Sequence, residues 1–269
     1  MKISIVKLGH PQVDIHRVIS IINNNQNIYK LTYKTQVPNL GKSDLDGWLY
    51  SDKLLFNKLA PHIRRDSLTI GITSVQLEDD WFIRPNNDRS GMVITIYQAD
   101  SAIEKAKKTI EDFVIYMIIT SIMTSEFFIK SRKSPFDDLI HDDCRGCLFD
   151  FCPDKESRSL GLSNLKIDDQ CRGILLNANV SQENIMAIES VMKYMKKPRF
   201  SKSAYSVQRN PYLAGFFGIG IGIMVHTIAS YLFEAHYLLI SFILILIFTV
   251  GTIFVKYLYD LYRASRLFE

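Results

Sequence analysis

The sequence predicts a mixed α/β (α+β) soluble domain that carries a cysteine-rich metal knot and is followed by two transmembrane α-helices. Three observations support this prediction. Short β-branched runs alternate with helical patterns in the first half of the 269-residue chain, all four cysteines fall between His141 and Cys171, and two long apolar runs end the chain. Alternating strands and helices are typical of an α/β sandwich.

Composition limits the classes of function. The formal net charge of +4 is too small to indicate a nucleic-acid partner by itself, so none is expected. Residues Met1–Leu8 are too few and too alternating for a cleavable signal, which predicts a cytoplasmic location for the first domain. In a reducing compartment, clustered cysteines are more often metal ligands than disulfides.

Four strands are predicted where β-branched and apolar residues cluster or alternate, at Ile3–Leu8, Ile28–Thr35, Ser67–Val75 and Gly91–Tyr97. Four helices are predicted from apolar residues at helical spacing, at Val13–Ile22, Asp44–Leu59, Ser101–Lys130 and Ser181–Met195.

The patterns also predict which side chains one helix buries and how another helix begins. The Asp44–Leu59 helix would bury Leu45 and Trp48 on its inner face. Ser101 and Glu104 have the spacing of a capping box at the start of the third helix. The apolar part of that helix, Phe113–Met123, is far shorter than the roughly 20 residues of a membrane span, so a buried core helix is favoured.

The apolar runs Tyr212–Phe233 and Tyr237–Val255 are each close to the length that crosses a bilayer. Basic residues flank their outer ends, and the connection 234–236 contains no Lys or Arg, so the positive-inside rule places both termini in the cytoplasm. We therefore expect a two-pass protein of the inner (cytoplasmic) membrane; the alternative is a buried helical pair. Gly218 and Gly222 form a small-xxx-small pair, which would drive homo-oligomerisation in the lipid bilayer or pack the hairpin on itself.

These patterns divide the chain into four parts. The predicted parts are residues 1–180 for the cytoplasmic domain with its knot at 141–171, 181–210 for an amphipathic helix and a basic juxtamembrane linker, 211–258 for the transmembrane hairpin, and 259–269 for a cytoplasmic tail.

The cysteines predict a structural zinc site, because thiolates need a soft cation and zinc is the common tetrahedral one. Cys147 and Cys152 enclose four residues, and Cys171 lies three positions after Asp168. These two pairs make a four-ligand site if the aspartate supplies an oxygen ligand. The fourth place is open between Asp168, Cys144 and His141. The competing interpretation is a set of reduced cysteines without a metal.

The cysteine segment resembles the C-terminal zinc knot of archaemetzincins, a family of metzincin-type metallopeptidases, with Asp168 where that family has a cysteine. The upstream order of ISIVKL, a helix, LTIGITSVQLEDDWFIRP, GMVITIY and a long helix is similar as well, so the resemblance covers roughly residues 1–175. It implies a metzincin-like fold and a structural zinc ion.

The catalytic motif of that family, H-E-x-x-H-x-x-G-x-x-H, does not occur in this sequence. Counted back from Cys147, its three histidine places hold Phe136, Ile140 and Gly146, and its glutamate place holds Asp137. Zinc hydrolysis needs three protein ligands, an open coordination position and a general base. The resemblance therefore implies a relative that keeps the structural metal and lacks the catalytic one, and no residue is predicted to be catalytic.

The leading hypothesis for function is a membrane-anchored, proteolytically inactive sensor or effector. Its cytoplasmic domain would bind a small-molecule or protein trigger, and the hairpin would act on the membrane, as in antiviral defence effectors of similar layout. The second hypothesis is a membrane-anchored zinc-dependent hydrolase with a non-standard site at His141, Asp137 or Asp142. The third is a membrane scaffold whose basic linker binds anionic headgroups. Beside the knot, Arg145 is expected to pair with Asp150 rather than to bind an anion.

Overall fold

A computed structural model describes residues 1–64, 66–131, 139–140, 145–150 and 157–196. The chain divides into two units, Met1–Lys196 and Lys197–Glu269, and all the described residues belong to the first. The predicted transmembrane hairpin and cytoplasmic tail lie outside the described residues, so they remain predictions.

The described strands form one five-stranded sheet in the order β2-β1-β3-β5-β4. Their bounds are β1 Lys2–Leu8, β2 Lys30–Val37, β3 Ser67–Thr73, β4 Ile83–Pro85 and β5 Gly91–Thr95. Every pair is parallel except β4 with β5, which is antiparallel. The mixed α/β architecture is thus confirmed, and the short edge strand β4 is an element that the sequence did not predict.

Seven α-helices lie in the described ranges. Their bounds are α1 Ile15–Asn25, α2 Asp52–Leu59, α3 Asp100–Ala106, α4 Ile110–Ser131, α5 Arg158–Asn164, α6 Asp169–Asn177 and α7 Gln182–Lys196. The last helix begins where it was predicted, because the Ser181 hydroxyl accepts a hydrogen bond from the backbone N–H of Asn184 at 3.2 Å.

The helix predicted at Ser101–Lys130 is in fact two helices, α3 and α4. Lys107 is left-handed, with φ of 52°, and ends α3. The capping box also lies elsewhere. The Thr109 hydroxyl accepts the backbone N–H of Asp112 at 3.2 Å, and the Asp112 carboxylate accepts the backbone N–H of Thr109 at 3.1 Å. This reciprocal pair starts α4 and replaces the predicted pair at Ser101, which lies inside α3.

The helix predicted at Asp44–Leu59 is only half present. Ser51 caps α2 by accepting the N–H of Leu54 at 3.1 Å, and a single 3-10 turn, Asp46–Trp48, precedes it. Because Gly47 and Trp48 both have positive φ, the backbone leaves the helical path there. The prediction that Trp48 is buried is wrong, since 84% of its surface is exposed.

Helices cover both faces of the sheet. On one face, Ile3, Ile5 and Ile70 pack in a large core to which α1, α4 and α7 contribute. On the other face, Leu55 and Leu59 of α2 pack in a smaller core with Val6 and Leu8 of β1 and Val93 of β5. Each such residue, when fully buried, contributes about 1.5–3 kcal/mol of transfer free energy.

Helix α4 is the central element of the larger core. Among the described helices it alone is long and apolar enough to cross a membrane, and 83% of its apolar window is buried inside the domain. Ile115, Ile118 and Ile119 are fully buried. This placement agrees with the core helix that the sequence predicted.

Candidate metal centre

The turn that carries Cys147 is organised by one carboxylate. Asp150 Oδ2 accepts the backbone N–H groups of Arg145, Gly146 and Cys147 at 2.8, 2.6 and 3.0 Å. Gly146 has φ of +88°, and a Cβ there would lie 2.8 Å from the Cβ of Asn164, so the turn requires glycine at this position. The carboxylate therefore fixes the backbone of Cys147 before any ion binds.

The same turn is attached to the segment that leads into α6. The N–H of Leu148 donates to the carbonyl of Lys166 at 2.7 Å, and the N–H of Lys166 donates to the carbonyl of Gly146 at 3.1 Å. This short parallel bridge pairs Cys147 with Lys166. It brings the cysteine next to the start of α6.

Asp168 and Cys171 lie at that helix start. Asp168 is the N-cap of α6, and its Oδ1 accepts the backbone N–H of Cys171 at 2.8 Å. Its Oδ2 lies 3.2 Å from the Nε of Arg145. The guanidinium of Arg145 thus pairs with Asp168, and the predicted side-chain pair with Asp150 is wrong because Asp150 binds the backbone instead.

Two thiols and one carboxylate converge here. The Sγ atoms of Cys147 and Cys171 are 3.7 Å apart, and the ligand atoms of Cys147, Asp168 and Cys171 all lie within 4.8 Å of one another. A tetrahedral zinc ion with Zn–S bonds of about 2.3 Å would separate two sulfurs by about 3.8 Å. The three residues therefore fit a zinc ion without rearrangement of the sulfurs.

The thiols are buried and reduced. Cys147 and Cys171 are 0% and 1% exposed, and neither forms a disulfide. The Sγ of Cys171 also lies 3.7 Å from the carbonyl oxygen of Leu139, the residue that follows the undescribed range 132–138. The centre thus lies where the segment after α4, the Cys147 turn and the start of α6 meet.

The charges of the centre favour a cation. Burial opposes ionisation of Asp168, but hydrogen bonds from Cys171 and the positive charge of Arg145 outweigh it, so the pKa of Asp168 is lowered. The hydrogen bond with Cys147, burial and the negative charge of Asp168 raise the pKa of the Cys171 thiol. A bound divalent cation reverses this second preference, because it binds the thiolate and stabilises it.

Of the six residues predicted as ligands, the structure brings together Cys147, Asp168 and Cys171. The other three, Cys144, Cys152 and His141, lie outside the described residues, and their role as ligands stays a prediction. Sequence reasoning missed the backbone-binding role of Asp150. The available signal was the position of Asp150 three and four residues after Cys147 and Gly146, because an aspartate side chain can bind backbone groups at that separation.

Comparison with known proteins gives one likeness of fold. No protein-family model and no curated protein matches the sequence. The chain is similar to the crystal structure of archaemetzincin from Methanopyrus kandleri, with a TM-score of 0.42 and 12% sequence identity, over 67% of this chain and 96% of that one.

Proposed function

We propose that this protein is a membrane-anchored, proteolytically inactive sensor or effector whose α/β domain is held together by a structural zinc ion. The observation that carries the metal assignment is the group of Cys147, Asp168 and Cys171, with its two sulfurs 3.7 Å apart. Thiolates at tetrahedral spacing are the usual donor set of structural zinc sites.

A structural role for the ion is supported by burial and by sequence. Structural zinc sites are closed, whereas catalytic ones keep a position open to water. Both thiols are almost completely buried. The sequence contains no H-E-x-x-H motif to supply a second, catalytic ion.

The residues that would hold the ion are Cys147 and Cys171 through sulfur and Asp168 through oxygen, with the fourth ligand supplied by Cys152, Cys144 or His141. The ion would supply no reaction chemistry. It would cross-link chain segments, and its binding free energy would become part of the folding free energy of the domain.

The membrane part of the proposal rests on sequence. Residues 212–233 and 237–255 are apolar runs with basic flanks, so we propose a two-pass anchor in the cytoplasmic membrane with both termini in the cytoplasm. The α/β domain would bind a small-molecule or protein trigger, and the hairpin would respond by oligomerising through Gly218 and Gly222 and by perturbing the bilayer. A defence effector is the cellular role that such an arrangement suits.

Metal content tests the first part. We expect one zinc ion per full-length chain purified in a mild detergent, and loss of most of it in Cys147→Ser and Cys171→Ser. Asp168→Asn should also lower zinc retention. The matched control is Asp169→Asn, at the exposed neighbouring position, and this variant should retain the ion. Absence of zinc from the wild-type chain would overturn the assignment, and two ions per chain would favour the hydrolase hypothesis.

Dye leakage from vesicles tests the second part. The full chain, reconstituted in lipid vesicles with candidate triggers, should release dye, and Gly218→Leu with Gly222→Leu should abolish the release. Gly220→Leu is the control, because a residue two positions away faces the other side of a helix. Leakage that survives the double substitution would rule out the glycine pair, and no leakage or growth toxicity under any trigger would contradict the effector role.

A further inference from the structure

Two loops at one end of the sheet form a continuous surface. The N–H of Tyr50 donates to the carbonyl of Gln76 at 3.0 Å, and Tyr50 pairs with Leu77 in a parallel bridge. The N–H of Asp52 donates to the Glu78 carboxylate at 3.1 Å. We call residues 42–53 together with residues 76–84 the Trp48 surface.

Three of the seven large hydrophobic side chains that are exposed among the described residues lie on this surface. Both tryptophans of the chain lie in it, with Trp48 84% exposed and Trp81 38% exposed, and Leu45 is 39% exposed. Tryptophan is one of the residues enriched among those that contribute most to binding at interfaces. A cluster of exposed apolar side chains with a polar rim indicates an interaction site.

The backbone of the loop presents the Trp48 side chain to solvent. Gly47 and Trp48 both have positive φ, a conformation that a bulky side chain rarely adopts. The loop is tied at both ends, because the N–H of Leu45 donates to the carbonyl of Leu49 at 3.3 Å and the N–H of Ser51 donates to Asp44 at 2.9 Å. A loop whose backbone is already restrained loses little backbone entropy when a partner covers it.

The charge of the surface indicates what kind of partner it binds. The surface contains six acidic and three basic residues. The acidic residues are Asp44, Asp46, Asp52, Glu78, Asp79 and Asp80, and the basic residues are Lys42, Lys53 and Arg84. Arg84 is already paired with Asp52 at 2.6 Å and with Asp79 at 2.7 Å. An acidic surface around an exposed indole is suited to a segment rich in Lys and Arg, which can bind the carboxylates and lie over the aromatic ring.

We infer that the Trp48 surface docks the basic segment 197–209 of a second copy of this chain. That segment, KPRFSKSAYSVQR, carries four basic residues, and no acid occurs between Glu189 and Glu234. The charged side chains of the segment are thus all positive, whereas the surface carries a net negative charge. The inference goes beyond the proposed function and does not depend on the metal ion.

A complementation experiment tests it with the full chain in a detergent of neutral headgroup. The surface variant carries Trp48→Asn, Asp46→Asn and Asp80→Asn, all at exposed positions, and asparagine tolerates positive φ. The segment variant carries Lys197→Gln, Arg199→Gln, Lys202→Gln and Arg209→Gln. The control variant carries Glu183→Gln and Met186→Asn, which remove one exposed acid and one exposed apolar side chain from α7.

Association between two fluorescently labelled copies is measured as salt rises from about 0.05 M to about 0.5 M, because charge pairing at a surface is screened over this range. Wild-type copies and control copies should show an association that salt weakens. Either variant alone should lose that salt-sensitive part, with a dissociation constant at least about tenfold higher at low salt. Any association through the hairpin would be insensitive to salt and serves as the baseline.

The mixture of the two variants decides the result. One variant still has the segment and the other still has the surface, so mixing them should restore the salt-sensitive association. Failure to restore it would overturn the inference, as would a surface variant that associates like the wild type. Salt-sensitive loss in the segment variant alone would assign the segment to another acceptor, such as anionic lipid. Circular dichroism must show that the surface variant melts like the wild type before its loss of association is attributed to the surface. Asp46→Asn alone provides a milder second test and should weaken the association partly.

Discussion

Replacing Asp150 with alanine should destabilise the domain by about 4 kcal/mol and weaken its hold on zinc. Oδ2 of this carboxylate accepts three backbone N–H groups, and the bonds from Gly146 and Cys147 are buried. A buried N–H left without an acceptor costs about 1–3 kcal/mol, so two of them cost about 2–6 kcal/mol. The N–H of Arg145 is partly exposed and can bind water instead, so it adds little.

The assay is thermal unfolding of the full chain in detergent, followed by circular dichroism, with zinc per chain measured on the same samples. For a domain of this size each kcal/mol shifts Tm by about 2–4 °C, so Asp150→Ala should lower it by about 8–16 °C. Asp150→Asn keeps one acceptor oxygen and should fall between. Asp169→Ala, an exposed acid in the first turn of α6, is the matched control and should cost at most about 1 kcal/mol.

An Asp150→Ala variant whose stability stayed within about 1 kcal/mol of the wild type and which kept its zinc would contradict this prediction, because substitutions at the surface usually change stability by only about 0.5 kcal/mol. Such a result would mean that the backbone of the Cys147 turn is held by other contacts, and that the ion does not need a preformed loop.

Two further predictions follow from other parts of the domain. Gly71→Ala should lower the stability of the domain in chemical denaturation by about 1–3 kcal/mol, because the new Cβ would lie 2.7 Å from Leu8 Cδ1 in the packed core. Gly173→Ala in α6 is the control, since its Cβ would meet nothing within 4 Å, and it should raise the stability by about 0.5–1 kcal/mol. Equal effects of the two substitutions would refute the packing argument. Hydrogen bonds from the hydroxyl and N–H of Ser90 lower the pKa of Asp88. The ionised carboxylate therefore stabilises the fold at pH values above the ordinary pKa of aspartate, and this contribution is lost as the pH falls through the lowered pKa. Side-chain NMR titration should show the pKa of Asp88 rising toward its ordinary value in Ser90→Ala, and an unchanged value would contradict this assignment.

The strands were the most predictable part of the molecule. Four of the five lie within two residues of their predicted ends, because β-branched, apolar sequence has few other ways to bury its side chains. The missed strand, Ile83–Pro85, has three residues and ends in a proline, so it carries too little pattern to be recognised. Pairing with β5 creates it, and pairing is a long-range property.

The helix errors have a local cause. Apolar spacing continued across Gly47 and across Lys107, and spacing alone cannot show that a single residue turns to positive φ. At Trp48 the consequence was large, because a residue predicted to face the core lies almost fully in solvent. Ser101 and Glu104 have the spacing of a capping box, but the reciprocal hydrogen bonds of a capping box are formed by Thr109 and Asp112 at the start of α4.

For the candidate site, the spacing of Asp168 and Cys171 was informative because both lie on one helix start. Cys147 could be grouped with them because soft ligands cluster around soft ions. The part that could not be predicted is the support of Cys147, since the carboxylate of Asp150 and the strand-like bridge to Lys166 depend on the folded path of the chain.

The order of the strands has a consequence for biosynthesis. The first of the described strands to leave the ribosome, β1, lies between β2 and β3, and the face that it shares with them packs in one core with α4, which contacts β3 and β5. From Leu8, the end of β1, to Ser131, the end of α4, the ribosome must add about 120 residues, which takes about six to twenty-five seconds at roughly 5–20 residues per second. For that interval the isoleucines of β1 have no complete cover, so the nascent chain should be a substrate for chaperones that hold apolar segments.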